Sequence, residues 1–185
     1  AGPNGSGKST FAESYFLKKK RLEHFINPDV IAAGISPLNL EKAAFQAGRL
    51  MLLSIKERIQ KQESLAFEST LSGKTWLPIL KKAQQYGFKI IVYFIFLEKV
   101  QQNIKRIRAR VKTGGHFVPT KTVKRRFPKA FHNFWFNYRV ISNNWYIFNN
   151  SGTKPCEIMS KQNFDILTSE EQAFFEASFL KGRSV

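Results

Sequence analysis

Residues 2–9 read Gly2-Pro3-Asn4-Gly5-Ser6-Gly7-Lys8-Ser9, and this octapeptide restricts the fold more than any other stretch of the chain. It matches G-x-x-x-x-G-K-[ST] at every fixed position. Glycines let the backbone turn tightly and aim successive N–H groups at phosphate oxygens. The helix that follows adds the positive end of its dipole. In such a loop Lys8 reaches the β- and γ-phosphates, and the Ser9 hydroxyl ligates Mg²⁺. Gly2, Pro3, Asn4, Gly5, Ser6, Gly7, Lys8, Ser9 and Thr10 are therefore the candidate nucleotide-binding residues, and Ser9 is the candidate metal ligand. A chance match in a chain of this length is on the order of one in a hundred or less. The competing reading is an ordinary glycine-rich turn.

Short apolar strands alternate with helical stretches through the rest of the chain, which predicts an α/β fold with a largely parallel sheet flanked by helices. Helices are expected over residues 8–20, 38–62, 75–86, 99–113, 120–138 and 169–180. Strands are expected at 25–27, 65–67, 88–97, 145–148 and near Ile158. The run at 88–97 is continuously apolar, as in a strand covered on both faces. Val100, Ile104, Ile107 and Val111 recur at helical spacing and predict one buried stripe. Folds with this loop place a buried strand before it, so several apolar residues are expected upstream of Ala1.

The 185 residues fit one domain, 1–185. The hydrophobic fraction of 43% and the 18 Phe exclude a disordered tail. No apolar run approaches a membrane span. The N-terminal segment does not read as a secretory leader, and a cytoplasmic location is expected. The single Cys156 excludes an internal disulfide and is expected to be buried or half-buried.

The net charge of +17 is unevenly spread. Residues 99–156 hold thirteen Lys and Arg and no Asp or Glu. Such a block attracts polyanions: nucleotide phosphates, nucleic acid or an acidic partner. General basicity would give the same sum without a site.

Ligands of parallel α/β sheets sit at the C-terminal strand ends, which directs attention to Asn27-Pro28-Asp29 and Glu68-Ser69-Thr70. Asp29 there can accept a hydroxyl proton during phosphoryl transfer; its other reading is the cap of the following helix. Glu68, with Ser69 and Thr70, can hold substrate hydroxyls or the water shell of a metal, or the cluster can cap the next helix. Arg106 and Arg110 share a helix face, and Arg125 and Arg126 follow across the glycine-hinged loop 113–119. These residues suit a lid, about 99–139, that stabilises charge on a transferring phosphoryl group. Each is otherwise a solvated surface charge. His116 is either a lid contact or an exposed loop residue. Phe127, Phe131, Phe134, Trp135 and Phe136 with Arg139 can be read as a nucleic-acid platform, but Phe127, Phe131, Phe134 and Tyr138 recur at i, i+4, i+7 and i+11 and fit one buried helix face better. Asn149-Asn150-Ser151-Gly152 reads as an adenine border or a plain turn.

Taken in order, Gly2 to Thr10, Asn27-Pro28-Asp29, 67–73 (Phe-Glu-Ser-Thr-Leu-Ser-Gly), 110–119 with its Gly-Gly-His lid, and Arg125-Arg126-Phe127 resemble the zeta-toxin-like P-loop kinases, in their short chromosomal branch. The resemblance runs from Ala1 to about Gly152. It implies a P-loop kinase-like sheet, ATP and Mg²⁺, Asp29 as catalytic base and Glu68 as a substrate-site carboxylate. It also implies Arg110 and Arg126 as phosphate-binding lid arginines, with Arg125 the alternative in register. UDP-N-acetylglucosamine as acceptor and a partner antitoxin follow from the same resemblance. Asn149 stands where the family carries an Asp.

The reading is a phosphotransferase that moves the γ-phosphoryl group of ATP to an alcohol group of a small, nucleotide-linked acceptor. The alternatives are a nucleic-acid-directed P-loop enzyme or binder using residues 99–156, and a nucleotide-binding protein without transferase activity.

Overall fold

The computed structural model describes residues 1–16, 24–36 and 39–183. In chain order the elements are α1 (Lys8–Tyr15), β1 (Phe25–Ile26), α2 (Pro28–Ile35), α3 (Leu40–Gln60), β2 (Ala66–Phe67), α4 (Trp76–Gln85), β3 (Ile91–Phe96), α5 (Val100–Lys112) and α6 (Thr120–Asn133). A π-helical turn, Phe134–Tyr138, joins α6 to α7 (Arg139–Ile141). Then come β4 (Asn144–Asn149), β5 (Cys156–Ser160), α8 (Lys161–Asp165) and α9 (Ser169–Leu180). The expected reach of the first helix to Lys20 and the expected start of the long helix at Leu38 lie outside the described residues. The fold groups into two compact units: Ser9–Glu68 with Lys81–Phe88, and Ala1–Lys8 with Ser69–Leu80 and Lys89–Val185.

In the unit containing Ser9–Glu68, Phe11 is buried and stacks on Tyr15 with ring centroids 5.1 Å apart, while the long helix buries small and aliphatic side chains. Ala43, Ala47, Met51, Ile55 and Ile59 recur every fourth residue along α3 and are all buried, the stripe that helical periodicity demands. Ala32, Ala43 and Ala47 form one cluster with Ile31 and Ile35 packed against it, so α2 lies close on α3. Strands β1 and β2 pair in parallel, Phe25 opposite Ala66 and Ile26 opposite Phe67. Asn27 caps α2 by accepting from the Asp29 N–H, and Pro28 stands in the first turn, where a missing N–H is tolerated.

The other unit is aromatic. β3 and β4 pair in parallel from Ile91–Asn144 to Phe96–Asn149. β5 adds an antiparallel edge with an irregularity at Ile147/Phe148. On the opposite side of β3, Ala1 continues the ladder in the parallel pattern: its N donates to Tyr93 O (2.7 Å), and Ile95 N donates to Ala1 O (2.8 Å). Phe94 stacks on Phe134 with ring centroids 4.4 Å apart. Phe131 and Phe179 close edge or tilted contacts around the same rings. Such pairs add about 0.5–1.5 kcal/mol each beyond their buried area. Phe127, Phe131, Phe134 and Tyr138 are all buried, as their spacing predicts. The wider π turn keeps adjacent Phe134 and Trp135 both inside.

Two expectations fail locally. Cys156 is exposed, because it opens the solvent-facing half of the edge strand β5. Val111 is exposed rather than part of the α5 stripe. The helix ends one residue later, and Val118 and Val123 fill the space beside Ile107 instead. The five-residue α8, which buries Phe164, has no counterpart in the sequence reading.

Candidate functional site

The loop of residues 2–8 is fixed from behind by side chains. Gly2 has φ +136, and a Cβ there would stand 1.9 Å from Ile95 O, so only glycine lets the chain leave the β3 ladder at this point. Gly7 has φ +89, and a Cβ would stand 2.5 Å from Asn150 Nδ2. That amide donates to Ser6 O (2.8 Å), while Arg106 Nη2 donates to Asn150 O (2.8 Å). Arg106 thus braces the loop through Asn150. On the other flank, fully buried Asn103 donates from Nδ2 to Asn4 O (2.7 Å). Lys8 Nζ donates to Pro3 O (3.1 Å), which also accepts from Ser6 N (3.3 Å). Ser6 is fully buried, and its Oγ, Asn4 Oδ1 and Asn103 Oδ1 make no hydrogen bond.

Downstream, Ser151 N donates to Asn149 Oδ1 (2.9 Å), an Asx turn. Asn149 Nδ2 also donates to Glu98 Oε1 (2.9 Å). The 149–152 segment therefore has turn chemistry of its own besides supplying the Asn150 brace.

In the 113–119 loop, Arg110 Nη2 donates to His116 O (2.7 Å). A Cβ on Gly115 would lie 2.3 Å from Arg110 Cγ, so the loop packs directly on this side chain. His116 takes part through its backbone, not its ring.

Arg126 lies elsewhere in the same unit. It lines a cavity of about 290 Å³ with Arg125, Lys129, Ser69, Thr70, Ser72, Gly73, Thr75 and Trp76. Burial, and then the neighbouring Arg125 charge, push the Arg126 guanidinium below its ordinary pKa. No carboxylate lines this cavity. One wall is a strained turn: Leu71 has φ +51, a conformation that costs a non-glycine residue about 1–3 kcal/mol. It is held by Leu71 N donating to Ser69 Oγ (3.1 Å), Asn133 Nδ2 donating to Leu71 O (2.8 Å) and Tyr138 OH donating to Gly73 O (2.7 Å). Because α4 starts only at Trp76, the Ser69, Thr70 and Ser72 hydroxyls serve this turn and do not cap a helix.

In the unit containing Ser9–Glu68, Asn27 Nδ2 donates to Glu68 Oε2 (2.8 Å) and lies 3.5 Å from Ser9 Oγ. Ser9, Asn27 and nearly buried Glu68 thus converge where β1 and β2 end. Asp29 is exposed in the first turn of α2. Its N–H is capped by Asn27, so its carboxylate is not the helix cap. Thr10 is exposed on α1.

The structure therefore groups the sequence candidates into four sets: the loop with Arg106; Ser69 and Thr70 with Arg126; Ser9 with Glu68; and Arg110 with the His116 backbone. Asn103, Lys129 and Asn133 are not among the sequence candidates; Asn150 is one only as an adenine border or plain turn, and Tyr138 only as a core residue. Asn103 had a signal: it is a polar residue on the apolar face of α5. Lys129 had another, lying four and three residues after Arg125 and Arg126 on one helix.

The donor set fits a polyphosphate with Mg²⁺. A left-handed glycine cradle, the Lys8 ammonium and the Ser9 hydroxyl at the start of α1 are the chemistry such groups need. Among the described residues no cluster of three or more His, Cys, Asp or Glu could hold a metal ion, and no helix is long and apolar enough to cross a membrane.

An uncharacterized protein of Haemophilus influenzae is 36% identical over 126 residues, spanning 68% of this chain and 88% of its own length. The chain belongs to that protein's family. No established family profile matches it. In three dimensions it is similar to a chain solved in work on the PezAT chromosomal toxin–antitoxin system of Streptococcus pneumoniae, with a TM-score of 0.65. That match covers 99% of this chain and 84% of the other, at 11% identity. The family member thus has the α/β fold, with parallel pairing and flanking helices, expected from its sequence.

Proposed function

We propose that the protein is an ATP- and Mg²⁺-dependent kinase of the zeta-toxin-like type, working in the cytoplasm as one functional domain over residues 1–185. The observation that carries this reading is the braced loop, in which the glycine cradle and Lys8 are backed by Asn103, Asn150 and Arg106. The fold shared with a chain from a toxin–antitoxin system supports a toxin role and a protein antitoxin as partner.

Residues 2–8 and Thr10 bind the nucleotide, with Arg106 behind the loop, and Ser9 provides the hydroxyl ligand for Mg²⁺, which would neutralise phosphate charge. Asp29 takes the proton of the acceptor hydroxyl. The acceptor oxygen bonds to the γ-phosphorus as the bond to the bridging β–γ oxygen breaks, and ADP leaves. Arg110 and Arg126 stabilise the charge on the transferring group. Glu68, Ser69 and Thr70 hold the acceptor. The three cations and hydroxyls of the 290 Å³ cavity suit an acceptor that already bears phosphate, such as UDP-N-acetylglucosamine.

The test is transfer of label from γ-labelled ATP, with Mg²⁺, to UDP-N-acetylglucosamine and in parallel to a metabolite extract. Lys8→Ala is expected to lower transfer by roughly 100- to 1,000-fold. Absence of any labelled acceptor with folded wild-type protein rejects the kinase reading.

A further inference from the structure

The kinase reading leaves most of the cationic block unused. Lys105, Arg108 and Lys112 on α5, and Lys121 and Lys124 on α6, are exposed. Among the described residues none of the five is in an ion pair; the pairs present join His24, Arg58 and Lys61 to carboxylates. No Asp or Glu occurs between residues 99 and 156 to offset them. At about 1.5 Å rise per residue, the three cations of α5 are about 4.5 and 6 Å apart along the axis on one side of the helix. α5 and α6 pack on each other through Ile107, Val118 and Val123, so both sets belong to one helical pair.

Exposed rings accompany these charges. Phe117, in the loop joining the two helices, is 59% exposed, and Phe136, just beyond α6, is 48% exposed. The Phe136 ring lies 4.8 Å from the ring of His132, itself exposed on α6. Hydration disfavours free aromatic surface, whereas cations interleaved with rings suit a chain that alternates phosphates with flat bases. An acidic protein segment would use the cations and leave the rings without a partner. A duplex keeps its bases stacked and would do the same. RNA is the single-stranded polyanion that cells hold in bulk.

We propose that the outer face of the α5–α6 pair binds single-stranded RNA, with phosphates on Lys105, Arg108, Lys112, Lys121 and Lys124 and bases on Phe117 and Phe136. This binding goes beyond phosphoryl transfer and stands without it.

The test is fluorescence anisotropy of the full chain with a labelled, unstructured RNA of about 20 nucleotides, at roughly 50 to 200 mM salt. The same sequence as single-stranded DNA, an RNA duplex and polyglutamate serve as the other arms. The RNA is expected to bind tightest, with a log–log salt slope of about −3 to −4, for five phosphates at roughly −0.7 each. Replacing all five cations by Gln should abolish most of the binding and flatten the slope. Phe117→Ala and Phe136→Ala should each weaken binding about fivefold or more with the slope unchanged. Melting curves check that each variant folds, and the two Phe variants decide the matter should the fivefold variant fail to do so. No binding at the lowest salt, binding unchanged in the Gln or Phe variants, or equal or tighter binding of DNA, duplex or polyglutamate overturns the proposal.

Discussion

The two compact units place their chemistry on different foundations. The one holding residues 2–8, Arg106, Arg110 and Arg126 is locked by an aromatic core, and its loop is pinned by side-chain amides and a guanidinium on carbonyl groups. The one holding Ser9, Asn27, Asp29 and Glu68 rests on alanine-rich helix packing, two-residue strands and a smaller set of rings around Phe11 and Tyr15. The candidate cations Lys8, Arg106, Arg110 and Arg126 thus fall in the first unit and the candidate carboxylates Asp29 and Glu68 in the second. The cationic groups sit on a framework with many large buried contacts, whereas the Asp29 carboxylate is exposed in the first turn of α2 and Glu68 accepts from the Asn27 amide. Large buried rings resist substitution through cavity formation, whereas an alanine stripe depends on close helix approach.

The largest effect should come from the unit that holds Asp29. Asp29→Asn is expected to lower phosphoryl transfer by about 100- to 10,000-fold while calorimetry shows ATP binding intact. Unchanged transfer would remove Asp29 from the chemistry and break the division of labour. Stability should show the opposite order. Trp135→Ala is expected to cost about 3–5 kcal/mol in denaturant unfolding, against about 1 kcal/mol for Ala47→Gly on α3. Equal costs would erase the contrast between the two cores. Asn150→Ala leaves the Ser6 carbonyl without its amide and should cost about 1–3 kcal/mol, accompanied by a raised KM for ATP. A stability loss with KM unmoved would make the brace purely structural.

The smallest effect concerns pH. Burial pushes the Tyr138 phenol up to about 12. The folded state therefore holds this proton more tightly than the unfolded chain, whose Tyr ionises near pH 10. The contribution is fully present below about pH 10 and is lost as pH rises towards 12. Tyr138→Phe should flatten that part of the stability–pH profile, which urea titrations between the two limits would detect.

Much of this was legible because periodicity and loop chemistry act locally. The glycine loop, the α5 stripe through Ile107, the buried face of Phe127, Phe131, Phe134 and Tyr138, and the C-terminal helix over residues 169–180 follow from spacing alone. The failures have tertiary causes. Cys156 is exposed because β5 is an edge, which pairing order decides. Val111 lost its place to Val118, which arrives from a loop. Asn150 could be singled out as a turn residue but not as a brace on Ser6, since 144 residues separate the two. The Arg125–Arg126–Lys129 cavity likewise depends on the 69–76 turn meeting α6, which no local pattern encodes.

That separation of 144 residues also orders events in time. A ribosome adding about 5–20 residues per second delivers Asn150 roughly 7–30 s after the glycine loop has been made. Until then Ser6 O lacks its amide donor, so a nascent chain has the Asn103 hold on Asn4 well before the Asn150 brace, which comes only once most of the polypeptide has been synthesised.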